Sequence, residues 1–513
     1  MTSLSSAAQQ PTGRSPGQRR WLYALAIAAV LGGWLLLALT HLDFFAFEDD
    51  EGTFLMTARS VWEGHALYRE VWFNYLAGLM HLLRFAFWLG GTTVVAPRVL
   101  IAVITVLTML VASEIARRVA GRLAGFLTVL LLAITPATAR MGRSVMAEVP
   151  AALCGALAVL LLLQHLRSRR LGWLALSGLT ASVGIWFKYP AALLLVILVV
   201  GLWADAWQHH DRWQSTLARS ALLLACGILP ALLSTLAYEL PAQWEQIVVT
   251  YLRSDDYDDL NVVRNLGKYY GYLNTNNWGL AALAAVGLVA LFRRQRNAAY
   301  LLGAWLGGYV VAMLFSTPLG THHMYLFLAP LAILAAIGLA SLPGLVRVAR
   351  KGALARAQRW PLVGAALATL LLLALLPQTI GNTATFYRSD RAANEELYEA
   401  VALVAEHTQP GDYVVSDLGM ITYRAGRSAP PWLTNTSGLR FFTGSLTEPI
   451  VQEISAAYAP AAVVFWEEKF TDHAPHYVAD IRSQYVEIYR QYQEQDESYY
   501  RLHGIYLRPD RAP

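Results

Sequence analysis

Residues 21–52 read WLYALAIAAVLGGWLLLALTHLDFFAFEDDEG, an apolar run from Trp21 to Thr40 followed closely by Glu48-Asp49-Asp50-Glu51-Gly52. An apolar helix of about 20 residues covers roughly 30 Å, the thickness of the hydrocarbon core of a bilayer. A secretory signal has a shorter apolar core and a small-residue cleavage site. Neither fits the run that follows Arg19-Arg20, so it is read as a retained first span. Carboxylates at a membrane boundary cost solvation energy unless water, cations or substrate groups compensate them. The four acids are therefore a candidate catalytic site on residue chemistry alone. The plainer reading is a solvated acidic boundary that only obeys topology.

The rest of the chain extends this reading. Of its 513 residues, 56% are hydrophobic and only 15% charged, against about 25% charged in ordinary soluble domains. The net charge of +5 is no nucleic-acid signature, because the basic residues sit in short loops between apolar runs. Cys154 and Cys226 both fall inside such runs, where free cysteine behaves as a small hydrophobe. About eleven spans are expected with a window of roughly 19 residues, at 21–40, 94–113, 122–139, 148–166, 171–187, 189–206, 217–239, 278–292, 299–315, 324–342 and 361–379. The stretch from Trp72 to Leu89, interrupted by His81 and Arg84, suits an interfacial helix.

Alternate loops carry Arg14/Arg19/Arg20, Arg117/Arg118/Arg122, Arg167/Arg169/Arg170, Arg212/Arg219, Arg293/Arg294/Arg296 and Arg347/Arg350/Lys351/Arg356/Arg359. The positive-inside rule places them all in the cytoplasm. The N-terminal tail, residues 1–20, is then cytoplasmic, and the outer loop 41–93 holds the acids outside. The polar loop Leu240–Asn277, with its acidic run Asp255–Asp259, also faces outward. After the membrane portion, 21–380, residues 383–513 form a small extracytoplasmic α/β domain. It has helices over Asn394–His407 and near Glu448–Tyr458, and strands at Asp412–Ser416 and Ala461–Trp466. The expected architecture is an α-helical polytopic membrane protein with a soluble C-terminal α/β domain, in a plasma or inner membrane.

The stretch Asp49-Asp50-Glu51-Gly52-Thr53-Phe54-Leu55-Met56-Thr57-Ala58, continued by Trp62-Glu63-Gly64-His65-Ala66-Leu67-Tyr68, resembles the first outer loop of the GT-C glycosyltransferases that use polyprenyl-phosphate sugars. These include dolichyl-phosphate-mannose protein mannosyltransferases and bacterial aminoarabinose transferases. The resemblance implies transfer of a sugar from a polyprenyl-phosphate-linked donor to a lipid, glycan or protein acceptor, with inversion, on the extracytoplasmic side. It matches Asp50 to the catalytic aspartate, with Asp49 the nearest competitor and Glu51 positioning neighbouring groups or substrate. The chemistry asks for such a carboxylate independently. A hydroxyl that attacks an anomeric carbon must lose its proton, and a placed base contributes about 10²–10⁴-fold.

Within Arg140–Pro150, Glu148 resembles the second acidic position of the family, a helper in acceptor binding or a second acid/base group. A simple acid in a first helical turn is the plainer alternative. Lys188, in Trp186-Phe187-Lys188-Tyr189-Pro190, suits a point charge on the leaving phosphate, against a lysine that merely snorkels. Arg143 is a second cation candidate, whereas Arg98 reads as the anchor of a span. His322 and His323 are candidate ligands for phosphate or a divalent cation, although two adjacent histidines lack a third ligand. No cofactor is assigned, and a divalent cation stays open. The run Asp255–Asp259 lacks the glycine and terminal glutamate of a calcium loop. Trp62, Tyr68, Trp72 and Tyr75 are either sugar-stacking or interfacial aromatics.

One departure from the family is visible. Where many relatives have Pro-Pro or Lys-Pro, this chain has Trp72-Phe73-Asn74-Tyr75-Leu76, so phosphate binding is expected to be arranged differently. A lipid-linked glycan flippase is the competing class, and a non-catalytic family member in glycan assembly is a third. A flippase calls for intramembrane charges or repeat-related broken helices, whereas the charges here concentrate in outer loops.

Overall fold

A computed structural model describes residues 16–253, 262–316, 319–350, 356–388, 394–496 and 499–513. The acidic run Asp255–Asp259 lies outside these residues, as do Arg14 and Lys351. The first ten α-helices are α1 (Pro16–Ala38), α2 (Glu51–Trp62), α3 (Gly78–Gly90), α4 (Val95–Ala120), α5 (Arg122–Ala133), α6 (Pro136–Met141), α7 (Glu148–Ser168), α8 (Leu171–Phe187), α9 (Leu193–His209) and α10 (Trp213–Thr235).

The span count differs from expectation. Among the described residues eight helices, not eleven, are long and apolar enough to cross a membrane, with a ninth if one bent pair counts as a single span. That pair is Val262–Asn276 and Trp278–Arg294, which meet at 97°. The corner is Asn277, at φ 123°, whose side chain accepts from Gly279 N and donates to Leu372 O and Thr379 Oγ1. The other two expected spans are short: α5 has 12 residues and α8 has 17, about 18 and 26 Å of helix against roughly 30 Å of hydrocarbon. The apolarity of 122–139 concealed a break, where extended Thr135 is followed by Pro136 opening α6. The loop after α10 is also more regular than its polarity suggested, with helix from Leu240 to Arg253 and again from Val262. The Trp72–Leu89 stretch becomes helical only at Gly78.

The bundle has two chemically distinct ends. At one, the basic loops meet: Arg118 donates to Gln164, Arg167 donates to the Arg118 carbonyl, and Arg169 pairs with Asp205 at 2.5 Å. Asn297 reaches the same Asp205, and Arg219 pairs with Asp211 at 2.6 Å. At the other end lies the acid loop, bound to Arg98 in the first turn of α4. The helix between Arg98 and Arg118 holds these ends about 30 Å apart.

The C-terminal domain carries β1 (Val414–Ser416), β2 (Ala462–Phe465), β3 (Val486–Asp496) and β4 (Tyr499–Leu507), in spatial order β1-β2-β4-β3. β1 and β2 are parallel, and β4 pairs antiparallel with both β2 and β3. Every residue of β1 and β2 is buried, which suits continuous apolar strands covered on both faces. Both expected strands and both expected helices are present; the β3–β4 hairpin was not foreseen. The domain sits on the acid end of the bundle. Its helix Gly419–Arg424 packs against α2 so closely that a Cβ at Gly52 would lie 2.6 Å from the Met420 backbone nitrogen. Only glycine permits that approach.

Candidate active site

The four acids separate by helix geometry into two anchors and two free groups. Glu51, in the first turn of α2, is fully buried with Arg98, which donates Nε to Oε1 at 2.8 Å and Nη2 to Oε2 at 2.6 Å. The same carboxylate accepts the backbone N–H groups of Val145 and Phe47. Glu51 thus ties α2, α4 and two loops together, and its oxygens are fully occupied. Glu48 is buried against Arg140, with Nε 2.8 Å from Oε1. Burial pushes its carboxyl up to about 7, although Arg140 draws it down; Asp49, Glu148 and Asp50 add repulsion. Asp49 and Asp50 between them are exposed. Asp50 is the N-cap of α2, and its side chain makes no capping bond. Its carboxylate is therefore available, at the helix end that favours negative charge.

Asp50 acts electrostatically on Tyr75, whose phenol also feels the charges of Lys188 and Glu148. Lys188 ends α8 in an extended conformation (φ −148°, ψ 115°) before a short turn opened by Tyr189-Pro190. Its ammonium lies 4.3 Å from the Tyr75 ring centroid and 2.8 Å from Glu148 Oε1. Glu148 is fully buried and Lys188 is 2% exposed. The turn Thr321–Phe327 adds His322 Nε2 and His323 Nε2, at 3.8 and 3.6 Å from the same oxygen. His323 Nδ1 accepts from the Gly320 N–H, which puts the proton of the neutral ring on Nε2, toward Glu148. One ligand atom each from Glu148, His322 and His323 lie within 4.8 Å of one another. That donor set suits a divalent cation, although the Lys188 ammonium stands beside Glu148 already.

Of the residues singled out in the sequence, Glu148, Lys188, His322 and His323 thus converge from three separate segments, and Asp50, from a fourth, lies within electrostatic reach of the Tyr75 that Lys188 touches. Two others are built into the scaffold. Arg143 is fully buried and donates to the carbonyls of Ala139, Thr40 and Phe386. Tyr68, 1% exposed at φ 69°, donates to the Tyr75 carbonyl at 2.7 Å and folds the 66–75 segment back on itself. Sequence reasoning passed over the Glu48–Arg140 pair, although both residues stood in quoted stretches. Arg98 does anchor, but to Glu51 rather than to a membrane surface.

Three cavities surround these groups. A groove of about 550 Å³, walled by Tyr189, Pro190, Leu193, Ile247, Tyr309 and Met313, is almost wholly apolar. Its Tyr189 stacks on Tyr75 with ring centroids 5.9 Å apart. A small cavity of about 120 Å³ is lined by Glu48, Arg140, Tyr272, Asn276 and His322, among others. On the far side, a cleft of about 1030 Å³ separates the acid loop from the soluble domain, with Asp49, Glu396, Tyr398, Met420 and Trp466 on its walls. Asp49 thus stands on the wall of the polar cleft, and the apolar groove reaches Tyr75 through Tyr189.

A helical bundle with an acidic first loop under a small α/β domain is a GT-C-like fold, shared with proteins of known structure. Residues 78–234 match the family of dolichyl-phosphate-mannose-protein mannosyltransferases. Among solved structures, ArnT from Cupriavidus metallidurans bound to undecaprenyl phosphate aligns over 96% of this chain and 98% of its own, with a TM-score of 0.61 and 16% identity. The Archaeoglobus fulgidus oligosaccharyltransferase tethered with an acceptor peptide aligns over 94% and 74%, with a TM-score of 0.55 and 14% identity. The oligosaccharyltransferase AglB from Archaeoglobus fulgidus in complex with an inhibitory peptide and a dolichol-phosphate gives a TM-score of 0.54, also at 14% identity, over 97% of this chain and 75% of its own. No curated protein matches the chain in sequence. The polytopic helical architecture and the GT-C fold expected from the first outer loop are both present.

Proposed function

We propose that the chain transfers a sugar from a polyprenyl-phosphate donor to an acceptor hydroxyl, with inversion, on the extracytoplasmic face of a plasma or inner membrane. The observation that carries this reading is the position of Asp50. It is an uncapped, exposed carboxylate at the start of α2, next in sequence to the cleft-lining Asp49 and within electrostatic reach of Tyr75, over whose ring the Lys188 ammonium lies. The relatives bound to undecaprenyl phosphate and dolichol-phosphate support a lipid-phosphate donor. The collection of arginines at the opposite end supports a cytoplasmic N-terminus. The contact of Gly52 with Met420 keeps the acids and the soluble domain on one side.

In this reading the polyprenyl chain lies in the groove walled by Tyr189 and Met313, and its phosphate meets Lys188, flanked by His322 and His323. The acceptor enters from the cleft. Its hydroxyl oxygen bonds to the anomeric carbon as the carbon–oxygen bond to phosphate breaks. The hydroxyl proton passes to Asp50, and the charge gained by the departing polyprenyl phosphate is met by the Lys188 ammonium. Glu148 holds that ammonium in place. A divalent cation, where bound, would sit on Glu148, His322 and His323 and add charge at the same phosphate.

The test is label transfer by purified protein from polyprenyl-phosphate sugars to a membrane extract. Asp50→Asn is expected to abolish transfer with unchanged thermal unfolding, and Asp49→Asn to retain it. Loss in Asp49→Asn with retention in Asp50→Asn reassigns the base to Asp49. Absence of transfer by the wild type with every donor, together with lipid translocation in vesicles, points instead to a flippase.

A further inference from the structure

The loop that presents the acids has no regular structure from Leu39 to Asp50. A segment of that kind must satisfy its carbonyls without a helix or sheet partner. Here two guanidinium groups do so from opposite sides. Arg98, from the membrane bundle, donates to Leu42 O at 2.7 Å, Phe44 O at 2.5 Å and Phe45 O at 3.3 Å, besides its pair with Glu51. Arg424, from the soluble domain, donates to Asp43 O at 2.7 Å, Phe45 O at 3.0 Å and the Phe44 carbonyl. Two consecutive carbonyls are thus shared between the two arginines, using both lone pairs of each oxygen.

The soluble domain reinforces this grip. Tyr398 stacks edge-on against Phe45, with centroids 6.0 Å apart. Arg59 of α2 reaches back to the carbonyls of Tyr423 and Arg427, both at 3.1 Å. The helix that bears Arg424 is the one whose Met420 closes on Gly52 and also lines the cleft. Leu418, just ahead of that helix, lines the cleft as well.

We infer that Arg424 is a positioning residue for the reaction. It fixes the 43–50 segment, and with it Asp49 and Asp50, so that the soluble domain completes the catalytic loop rather than only binding acceptor. The inference rests on the proposed function for its kinetic arm alone. A general base must lie within hydrogen-bond reach of the proton it takes, and misplacement by about 1 Å costs on the order of 100-fold. Lysine cannot replace arginine here, because three carbonyls are bridged by one planar fork.

The test uses the full-length protein in detergent. Arg424→Ala and Arg424→Lys are expected to lower kcat by about 100-fold with donor KM within two-fold of wild type. Hydrogen exchange should accelerate in peptides covering 42–52 and stay unchanged in the bundle. Arg427→Ala is the control, since among the described residues its side chain donates only within its own domain, to Thr408 Oγ1 and to the carbonyls of Ala405, Thr408 and Ala425. It should lower stability without changing kcat per folded molecule. If Arg424→Ala keeps wild-type kcat, or leaves exchange in 42–52 unaltered, the inference is overturned. Absence of transfer by the wild type would reject the proposed function and leave the exchange arm to decide on Arg424.

Discussion

Replacement of Lys188 by methionine separates two roles that the structure places on one side chain. Lys188 and Glu148 are both almost without solvent contact, and their charged atoms are 2.8 Å apart. Removing one member of a buried pair leaves an uncompensated charge, at a cost of about 3–5 kcal/mol. That is a large share of a typical stability of about 5–15 kcal/mol. The polar rings of His322 and His323 offset part of it, since both Nε2 atoms lie within 3.8 Å of Glu148 Oε1. Lys188→Met alone should therefore unfold at markedly lower temperature. The double variant Lys188→Met/Glu148→Gln removes both charges and should regain most of the loss. The donor phosphate distinguishes the roles. A hydrogen bond from a charged group contributes about 1.5–3 kcal/mol, so the double variant should bind polyprenyl phosphate roughly 10- to 150-fold more weakly. Thermal unfolding in detergent and equilibrium binding of polyprenyl phosphate measure the two effects independently. A double variant that is stable and binds within two-fold of wild type would refute the phosphate role and leave Lys188 as the partner of Glu148 alone.

Glu51→Gln should destabilise by about 3–5 kcal/mol, because an amide cannot accept all four of the N–H groups that converge on that carboxylate; a loss below about 1 kcal/mol in chemical unfolding would contradict the anchoring role. Asp417 gives the soluble domain a pH dependence. Burial raises its carboxyl from 3.8 to about 7, and its Oδ2 has no hydrogen-bond partner among the described residues. The folded state therefore holds a proton that the unfolded state releases between about pH 4 and 7, and stability falls as pH rises through that window, by on the order of 4 kcal/mol. Asp417→Asn keeps an acceptor for the Trp466 N–H and should flatten the profile; an unchanged slope in pH-dependent unfolding would exclude Asp417 as its source.

Much of this molecule is legible in the chain because its strongest signals are local. Apolar runs and arginine-rich loops report spans and the two ends of the bundle without knowledge of packing. Span length is less legible, since hydropathy does not see the break at Thr135-Pro136 or the corner at Asn277. The candidate site was legible residue by residue where chemistry is unusual in its surroundings: Lys188 and Glu148 are conspicuous beside apolar runs. What those residues touch was not legible. Arg143 looked like a free cation because nothing in its neighbourhood announces the carbonyls of Thr40 and Phe386, which come from distant segments. Arg424 carried no signal, as an arginine in a soluble helix normally faces water. The β3–β4 hairpin was missed because its polar, tyrosine-rich sequence lacks a clean apolar alternation.

The acid row that opens the outer loop is best understood through its charge balance. Glu48 and Glu51 are neutralised by Arg140 and Arg98, so the flanks of the row are fixed and the middle is free. Glu148 is neutralised in turn by Lys188. Two unpaired carboxylates, Asp49 and Asp50, then face any incoming phosphate, and their repulsion must be outweighed. Lys188 has three N–H donors, and Glu148 is its ion-pair partner among the described residues, which leaves donors for a phosphate oxygen. A phosphate on Lys188 would share that ammonium with Glu148, and His322 and His323, each with Nε2 within 3.8 Å of the same carboxylate oxygen, stand where a ring N–H can reach a phosphate oxygen. Replacing both histidines by phenylalanine should therefore weaken equilibrium binding of polyprenyl phosphate by about 10-fold. Binding within two-fold of wild type would mean that Lys188 alone carries the phosphate charge and that the two histidines stand aside.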